Sequence, residues 1–342
     1  MPRKLVGVGI EKVEWQDFAE PPLSAGQVRV KPRFGAAKHG TELAHFKGYA
    51  FGRGGFDRQA GGIFNYQRPE KIGEYMVGNM QVGPVVEVGP GVTRFKAGDR
   101  VLCYGGFAQS LAVSERDCWA LPESAPWQSA VCLDPADFAF SAVRDGHIRI
   151  GDAAAIFGLG AIGLMAVQLA KLAGASPIIA VDPLPARRAL AGKLGADVVL
   201  DPSACDAGAE IKQATALRGA DVCIEYSGSW RAMQAALRGV AYAGTVVAGA
   251  WPAPYPEGLD FGAEAHLNIP RIVFSRACSQ PDRDHPRWDN ARIFENCLRL
   301  ILGGQLRGQE IVRPIVKFDQ LKDAYPKTAS EPDAYIKLGV EY

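Results

Sequence analysis

The most regular hydrophobic pattern in the chain lies between residues 153 and 182. A short apolar run, Ala153–Phe157, predicts a buried strand. Apolar positions three and four residues apart then predict a helix that closes at Gly174, because this spacing places them on one helix face. A second apolar run, Ile178–Val181, predicts another buried strand. The order strand, helix, strand is typical of a parallel-sheet unit.

The two halves of the chain differ in hydrophobic period. Before a boundary near Pro122 the chain is rich in valine and alternates apolar with polar residues, which predicts antiparallel strands and a small barrel. Beyond it, helical and strand patterns alternate, which predicts a parallel sheet. The further helices predicted there are 185–193, 207–216, 230–239 and 292–302. The further strands predicted there are 198–200, 221–225 and 245–248. The tail returns to strand-like sequence at 311–318 and 335–340.

Residues 49–77 show no clear period. The segment is rich in glycine, aromatic and cationic residues. Loops of this length in a compact domain usually serve a function or are disordered, and the aromatic residues argue against disorder. We expect it to cover the substrate, with a subunit contact as the alternative.

Composition narrows the functional classes. The 342 residues are 48% hydrophobic and 22% charged, with a net charge of +1, which is ordinary for a globular protein of two domains. This balance predicts no binding to nucleic acid or to a membrane surface. We find no signal-peptide pattern and no apolar run of membrane-spanning length. The seven cysteines include no C-x-x-C pair, which predicts reduced thiols in a cytoplasmic protein.

Three glycines follow the first buried strand in the spacing G-x-G-x-x-G. Gly158 permits a tight turn, Gly160 lets the backbone approach a pyrophosphate, and Gly163 lets helix and strand pack closely. The start of the next helix offers unpaired N–H groups to phosphate. We therefore predict a dinucleotide site whose turn comprises Gly158, Leu159, Gly160, Ala161, Ile162 and Gly163.

Asp182 ends the second strand, about 20 residues after the glycines, where a carboxylate can accept hydrogen bonds from the adenosine ribose. The same carboxylate would repel a 2′-phosphate, so we predict NAD rather than NADP. Arg187 and Arg188 begin the next helix. Either could reach the adenosine side, so use of both cofactors stays open.

Several segments together resemble the medium-chain dehydrogenase/reductase superfamily, the relatives of zinc-type alcohol dehydrogenases. They are GPVVEVGPGVTRFKAGDRV, GGFAQSLAV, FGLGAIGLMAVQLAKLAGA and EYSGS. The resemblance implies an α/β protein with a GroES-like catalytic barrel (1–123 and 306–342) and a Rossmann doubly wound parallel-sheet domain (124–305). It further implies hydride transfer with a nicotinamide cofactor, a site in the interdomain cleft, a dimer or tetramer, and a cofactor contact at Ser227.

The zinc ligands of the resembled family do not carry over. His39 stands where zinc members have a cysteine, Asn79 and Met80 replace a histidine and a glutamate, and the four-cysteine lobe is missing. Because Asn and Met are poor Zn²⁺ ligands, we predict no metal. A non-standard site made from His39, Glu42 and Asp134 is the alternative.

Without zinc, protein groups have to move the alcohol proton and stabilise charge on oxygen. His39 is the main candidate, because imidazole ordinarily titrates near ~6.5. Lys38 could hold an alkoxide, Asp134 could orient His39, and Thr41 matches the family residue that links substrate oxygen to the cofactor. Glu42 and Asn79 are candidate substrate contacts; burial against an arginine and capping of a turn are their structural alternatives.

These residues predict an NAD(H)-dependent oxidoreductase that acts on a secondary alcohol or ketone. A polyhydroxylated substrate such as a sugar or cyclitol is suggested by the polar side chains of His39, Glu42, Asn79 and Asp134 and by the arginines near the segment 49–77. Three alternatives stay open: a zinc enzyme with non-standard ligands, an NADPH-dependent quinone or enoyl reductase, and a non-catalytic NAD-binding regulator.

Overall fold

The structure, a computed structural model, describes residues 1–67, 69–277 and 286–342, and it leaves the side chain of His39 undescribed. The chain divides into two compact units. The first comprises Met1–Val131 and Val312–Tyr342, and the second comprises Cys132–Ile311. The first unit therefore extends past Glu123 to Val131, and the second ends at Ile311 rather than at residue 305.

The strands, numbered along the chain, are β1 (Arg3–Gly9), β2 (Lys12–Asp17), β3 (Gln27–Val30), β4 (Phe34–Ala36), β5 (Phe56–Asp57), β6 (Ile63–Phe64), β7 (Tyr75–Met76), β8 (Met80–Val88), β9 (Arg100–Tyr104), β10 (Leu111–Ser114), β11 (Cys118–Ala120), β12 (Ala154–Phe157), β13 (Ile178–Val181), β14 (Val198–Leu200), β15 (Ala220–Glu225), β16 (Val240–Ala248), β17 (Arg271–Phe274), β18 (Ile315–Lys317) and β19 (Gly339–Glu341).

The α-helices are α1 (His39–Phe46), α2 (Trp127–Ala130), α3 (Leu133–Asp145), α4 (Ala161–Leu172), α5 (Pro185–Leu194), α6 (Ala207–Ala214), α7 (Trp230–Gly239), α8 (Glu264–Asn268), α9 (Asn290–Leu302), α10 (Leu321–Ala324) and α11 (Lys327–Ser330). None of them, over the ranges that the structure describes, is long and apolar enough to cross a membrane.

The first unit is built on β-sheets. Its largest sheet has the order β10-β3-β8-β4-β19-β18, and β9 pairs with both β8 and β11. The C-terminal tail joins this sheet because β19 pairs antiparallel with β4, with Gly339 opposite Ala36. Strands β3 and β4 are separated at Pro32, which has no N–H for a sheet ladder.

The second unit carries a parallel sheet with the order β14-β13-β12-β15-β16-β17. The order reverses at β12, and ligands of such sheets bind beyond the carboxyl ends of the strands at this point. Helices α4 to α7 and α9 fall where the apolar spacing predicts them. The predicted α/β architecture, a barrel unit and a doubly wound parallel-sheet unit, is confirmed.

The segment 49–77 includes three short strands. It contains the hairpin β5–β6, where Phe56 pairs with Phe64, and β7, which extends a three-stranded sheet beside β1. Arg68 within it lies outside the described residues. Its predicted role in covering the substrate stays a prediction.

Candidate cofactor and substrate sites

The glycine turn after β12 is too tight for side chains. Gly158 has φ +84°, and a Cβ there would lie 2.4 Å from the backbone nitrogen of Ser227. A Cβ on Gly163 would lie 1.9 Å from the carbonyl oxygen of Gly158. Helix α4 therefore starts directly against the end of β12 only because both positions are glycine.

The start of α4 is open to an anion. Gly160 is the residue that caps it, and no side chain donates or accepts there. The first backbone hydrogen bond within the helix runs from Leu164 N–H to the Gly160 carbonyl. The preceding N–H groups, including those of Ala161 and Ile162, thus have no acceptor within the helix. Together with the helix dipole they fit a pyrophosphate.

Asp182 lies at the carboxyl end of β13 and is buried. Its Oδ2 accepts a hydrogen bond from Leu159 N–H at 2.7 Å, and its Oδ1 accepts one from Leu184 N–H at 2.9 Å. Each oxygen keeps a second lone pair for a ribose hydroxyl. The acid therefore braces the turn as well as facing the predicted ribose.

Two arginines of α5 lie close to this acid. Arg187 Nη1 is 3.9 Å from Asp182 Oδ2. Arg188 donates to the Asp182 carbonyl at 2.7 Å and forms an ion pair with Asp201 at 2.9 Å. Arg187 thus partly offsets the negative charge that Asp182 would present to a 2′-phosphate.

Glu225, at the end of β15, was missed by the sequence analysis. It pairs in register with Phe157 of β12 and is 1% exposed. Its Oε1 accepts hydrogen bonds from Ser227 N–H at 2.6 Å, Gly228 N–H at 2.9 Å and the Ser227 hydroxyl. Burial raises the pKa of Glu225 to about 7, against the lowering effect of these donors. An acid ending a buried strand beside β12 was the available signal.

Glu42 in α1 is a predicted substrate contact, which stays a prediction; in the structure its carboxylate accepts three hydrogen bonds from the chain. Its Oε1 accepts from Lys38 N–H at 2.5 Å, and its Oε2 accepts from Gly78 N–H at 3.1 Å and from the Tyr325 hydroxyl at 2.8 Å. Burial raises its pKa. The carboxylate is thus engaged by the chain itself, and its nearby cation is Lys337 rather than an arginine.

Asn79 immediately precedes β8 and is 6% exposed. Its backbone N–H donates to Ala36 and its carbonyl accepts from Gly105. Its side-chain Nδ2 is buried and finds no hydrogen-bond acceptor among the residues that the structure describes. Because an unmatched buried donor costs about 1–3 kcal/mol, this amide is suited to donate to a ligand.

The other predicted catalytic residues fall in both units. Lys38 precedes α1, and His39 and Thr41 lie in its first turn, so the backbone brings these three together. The side chain of His39 lies outside the described part. Asp134 is buried in the first turn of α3, in the second unit. Its pairing with His39 stays a prediction.

Two of the matched zinc positions carry side chains that do not fit Zn²⁺. Asn79 offers an amide, and Met80 is a fully buried thioether. Among the described side chains no three His, Cys, Asp or Glu residues lie close enough to share a metal ion. We therefore derive no step through zinc.

Comparisons with known proteins identify the family to which the chain belongs. The alcohol dehydrogenase GroES-like domain family matches residues 25–123, and the zinc-binding dehydrogenase family matches residues 161–279. Over 353 aligned residues the chain is 40% identical to D-guloside 3-dehydrogenase of Escherichia coli (strain K12), covering 99% of this chain and 100% of that protein. The chain belongs to the zinc-type medium-chain dehydrogenase/reductase superfamily. It is accordingly an oxidoreductase of CH–OH groups.

Solved structures agree on the fold of this superfamily member. The crystal structure of 2R,3R-butanediol dehydrogenase from Bacillus subtilis matches with a TM-score of 0.79 and 23% identity, covering 100% of both chains. A short chain alcohol dehydrogenase from E. coli CFT073, complexed with NADH, matches with a TM-score of 0.78 and 18% identity over 100% of this chain and 99% of that chain. A putative zinc-binding dehydrogenase from Sinorhizobium meliloti 1021, bound to NADP, matches with a TM-score of 0.75 and 21% identity over 100% of this chain and 99% of that chain.

Proposed function

We propose that this superfamily member is an NAD(H)-dependent dehydrogenase of a secondary hydroxyl on a sugar or glycoside, and that it works without catalytic zinc. The observation that carries the proposal is the identity of 40% with a D-guloside 3-dehydrogenase over 99% of the chain. The aligned range covers 99% of the chain and therefore includes both units.

The preference for NAD rests on Asp182. Its carboxylate, buried and braced by Leu159 N–H and Leu184 N–H, would accept hydrogen bonds from ribose hydroxyls and repel an added phosphate. Arg187, at 3.9 Å, weakens that repulsion, so we expect measurable but poorer use of NADP. The bound nicotinamide would accept the hydride from carbon.

The chain's own residues would handle the proton and the oxygen. Asn79 would donate through Nδ2 to the reacting oxygen, which stabilises negative charge developing there. His39 would take the hydroxyl proton, with Thr41 as a relay and Asp134 orienting the imidazole. Lys38 would add positive charge near the oxygen. We further propose a homo-oligomer in a reducing, cytoplasmic compartment.

The deciding experiment combines metal analysis with a substrate panel. Purified protein would be assayed with NAD and NADP against free sugars, alkyl glycosides, cyclitols and simple secondary alcohols, with and without a chelator. We expect NAD-linked oxidation of the polyhydroxylated compounds, less than stoichiometric zinc, and no effect of chelation. Stoichiometric zinc with chelator-sensitive turnover would overturn the metal-free mechanism, and failure to bind either cofactor would overturn the oxidoreductase.

Replacing Asn79 with leucine should separate stability from activity. Because the buried Nδ2 is unmatched, Asn79→Leu should leave the free energy of unfolding unchanged or raise it by up to about 1–3 kcal/mol. The same change removes a donor aimed at the reacting oxygen and should lower kcat by about 10²-fold. Chemical denaturation and steady-state kinetics measure the two effects.

Gln81→Leu is the matched control, two residues further along the chain in β8. Gln81 is also buried, but its Nε2 donates to the Gly105 carbonyl at 3.1 Å and its Oε1 accepts from the Tyr342 hydroxyl at 2.9 Å. This variant should lose stability, because it leaves those partners unmatched, and should keep kcat. A destabilised Asn79→Leu with normal kcat would show that Asn79 is merely structural.

A further inference from the structure

The C-terminal segment reaches the proposed substrate residues through a buried network of Glu42, Tyr325 and Lys337, here termed the Glu42 clamp. The Tyr325 hydroxyl donates to Glu42 Oε2 at 2.8 Å, and Lys337 Nζ donates to the Ala37 carbonyl at 2.6 Å. Tyr325 and Lys337 are each 1% exposed. The charge of Lys337 also acts on the Glu42 carboxylate. The sequence analysis assigned no role to Tyr325 or Lys337.

The clamp joins the two backbone segments that carry the proposed substrate contacts. Through Oε1, Glu42 holds the N–H of Lys38, where α1 begins. Through Oε2 it holds the N–H of Gly78, the residue next to Asn79. Gly78 has φ +94°, and a Cβ there would lie 2.5 Å from the backbone nitrogen of Phe107, so the path of the chain into Asn79 is narrowly defined.

Tyr325 is itself held in place. Its ring meets Phe46, at the far end of α1, with ring centroids 5.5 Å apart in an edge-on arrangement. Its N–H donates to the Leu321 carbonyl, and its own carbonyl accepts from the Thr328 hydroxyl at 2.7 Å. The Tyr325 hydroxyl is therefore held at Glu42 by a ring whose position is fixed.

A buried charged network is a costly way to gain stability alone, because burying ions removes their hydration, and apolar residues of similar volume often stabilise as well or better. The network instead fixes geometry, because hydrogen bonds set the relative positions of the groups they join. We propose that Tyr325 and Lys337, acting through Glu42, are positioning residues that set the placement of Asn79 and of the start of α1 against the reacting hydroxyl. This inference rests on the proposed function, which makes Asn79 a substrate contact.

The test compares two tyrosine-to-phenylalanine variants of the full-length protein. Tyr325→Phe removes the clamp hydroxyl and keeps the ring on Phe46. Tyr342→Phe is the control, because it also removes a hydrogen-bonded tyrosine hydroxyl of the same unit, one that donates to Gln81 and not to Glu42. Both should lower the melting temperature to a similar extent. Only Tyr325→Phe should lower kcat, by roughly 10- to 100-fold, with the affinity for NAD unchanged.

Crystal structures of both variants give a readout that does not depend on turnover. In Tyr325→Phe the Asn79 amide should shift by more than about 0.5 Å or become disordered, while Tyr342→Phe should leave it in place. Equal kinetics and equal Asn79 positions in the two variants would overturn the clamp. Absence of turnover in the unmodified enzyme would overturn the proposed function instead, and the Asn79 positions would still decide the clamp. Lys337→Met should produce the same pattern as Tyr325→Phe, and normal kcat in it would remove Lys337 from the clamp.

Discussion

Gly163→Ala is expected to abolish detectable cofactor binding at concentrations that saturate the unmodified enzyme. The new Cβ would lie 1.9 Å from the Gly158 carbonyl oxygen and 3.0 Å from its carbonyl carbon, both of which are backbone atoms. No side-chain rotation can relieve this overlap, so α4 has to move away from the end of β12. The N–H groups of Ala161 and Ile162 then leave the pyrophosphate position. We expect affinity for NAD to fall by about 100-fold or more, equivalent to about 2.8 kcal/mol.

Gly163→Ala should also lower the free energy of unfolding, because overpacking at a backbone contact costs about 1–3 kcal/mol. Gly192→Ala is the control, since Gly192 lies in α5 and a Cβ there meets no heavy atom within 4 Å. This control should bind NAD normally and gain up to about 1 kcal/mol of stability from better helix propensity. Isothermal titration and thermal denaturation measure both quantities. Normal NAD affinity in Gly163→Ala would contradict the assignment of the turn.

The βαβ unit around the glycine turn was predictable because the sequence features that mark it lie close together in the chain. Gly158, Gly163 and Asp182 lie at fixed distances within one βαβ unit, and the apolar period marks the strand and the helix around them. Strand β17 was not predicted, because its residues are mostly exposed and therefore carry no continuous buried pattern. The place of Glu225 at the end of a buried strand was visible in the sequence, but its burial by neighbouring strands cannot be seen in its own segment.

The substrate half was predictable only in part. The segment Lys38–Thr41 was found through the resemblance, and the backbone does collect it in the first turn of α1. The contacts of Glu42 were not predictable, because its partner Tyr325 is 283 positions away in the chain. No periodicity or spacing rule connects residues so distant, since their contact exists only after the tail joins the first unit through β19. The unmatched amide of Asn79 likewise depends on what surrounds it in three dimensions.

His39→Ala should produce the largest loss of turnover. If the imidazole takes the hydroxyl proton, its removal should lower kcat for alcohol oxidation by about 10²- to 10⁴-fold. Affinity for NAD should be unchanged, because the glycine turn and Asp182 do not involve α1. In the unmodified enzyme kcat should rise with pH as the proton-accepting group becomes neutral, and this limb should vanish in the variant. Added imidazole should restore part of the rate.

His45→Ala separates this role from the packing of α1. His45 lies on the same helix, with Nδ1 3.0 Å from the Thr41 carbonyl oxygen and its ring against Phe51 and Tyr75. Its removal should therefore lower the melting temperature while kcat and the pH limb persist. A rise of kcat with pH that persists in His39→Ala but is lost in Lys38→Met would assign the role of proton acceptor to Lys38. Unchanged kcat in both variants would leave neither residue as the base.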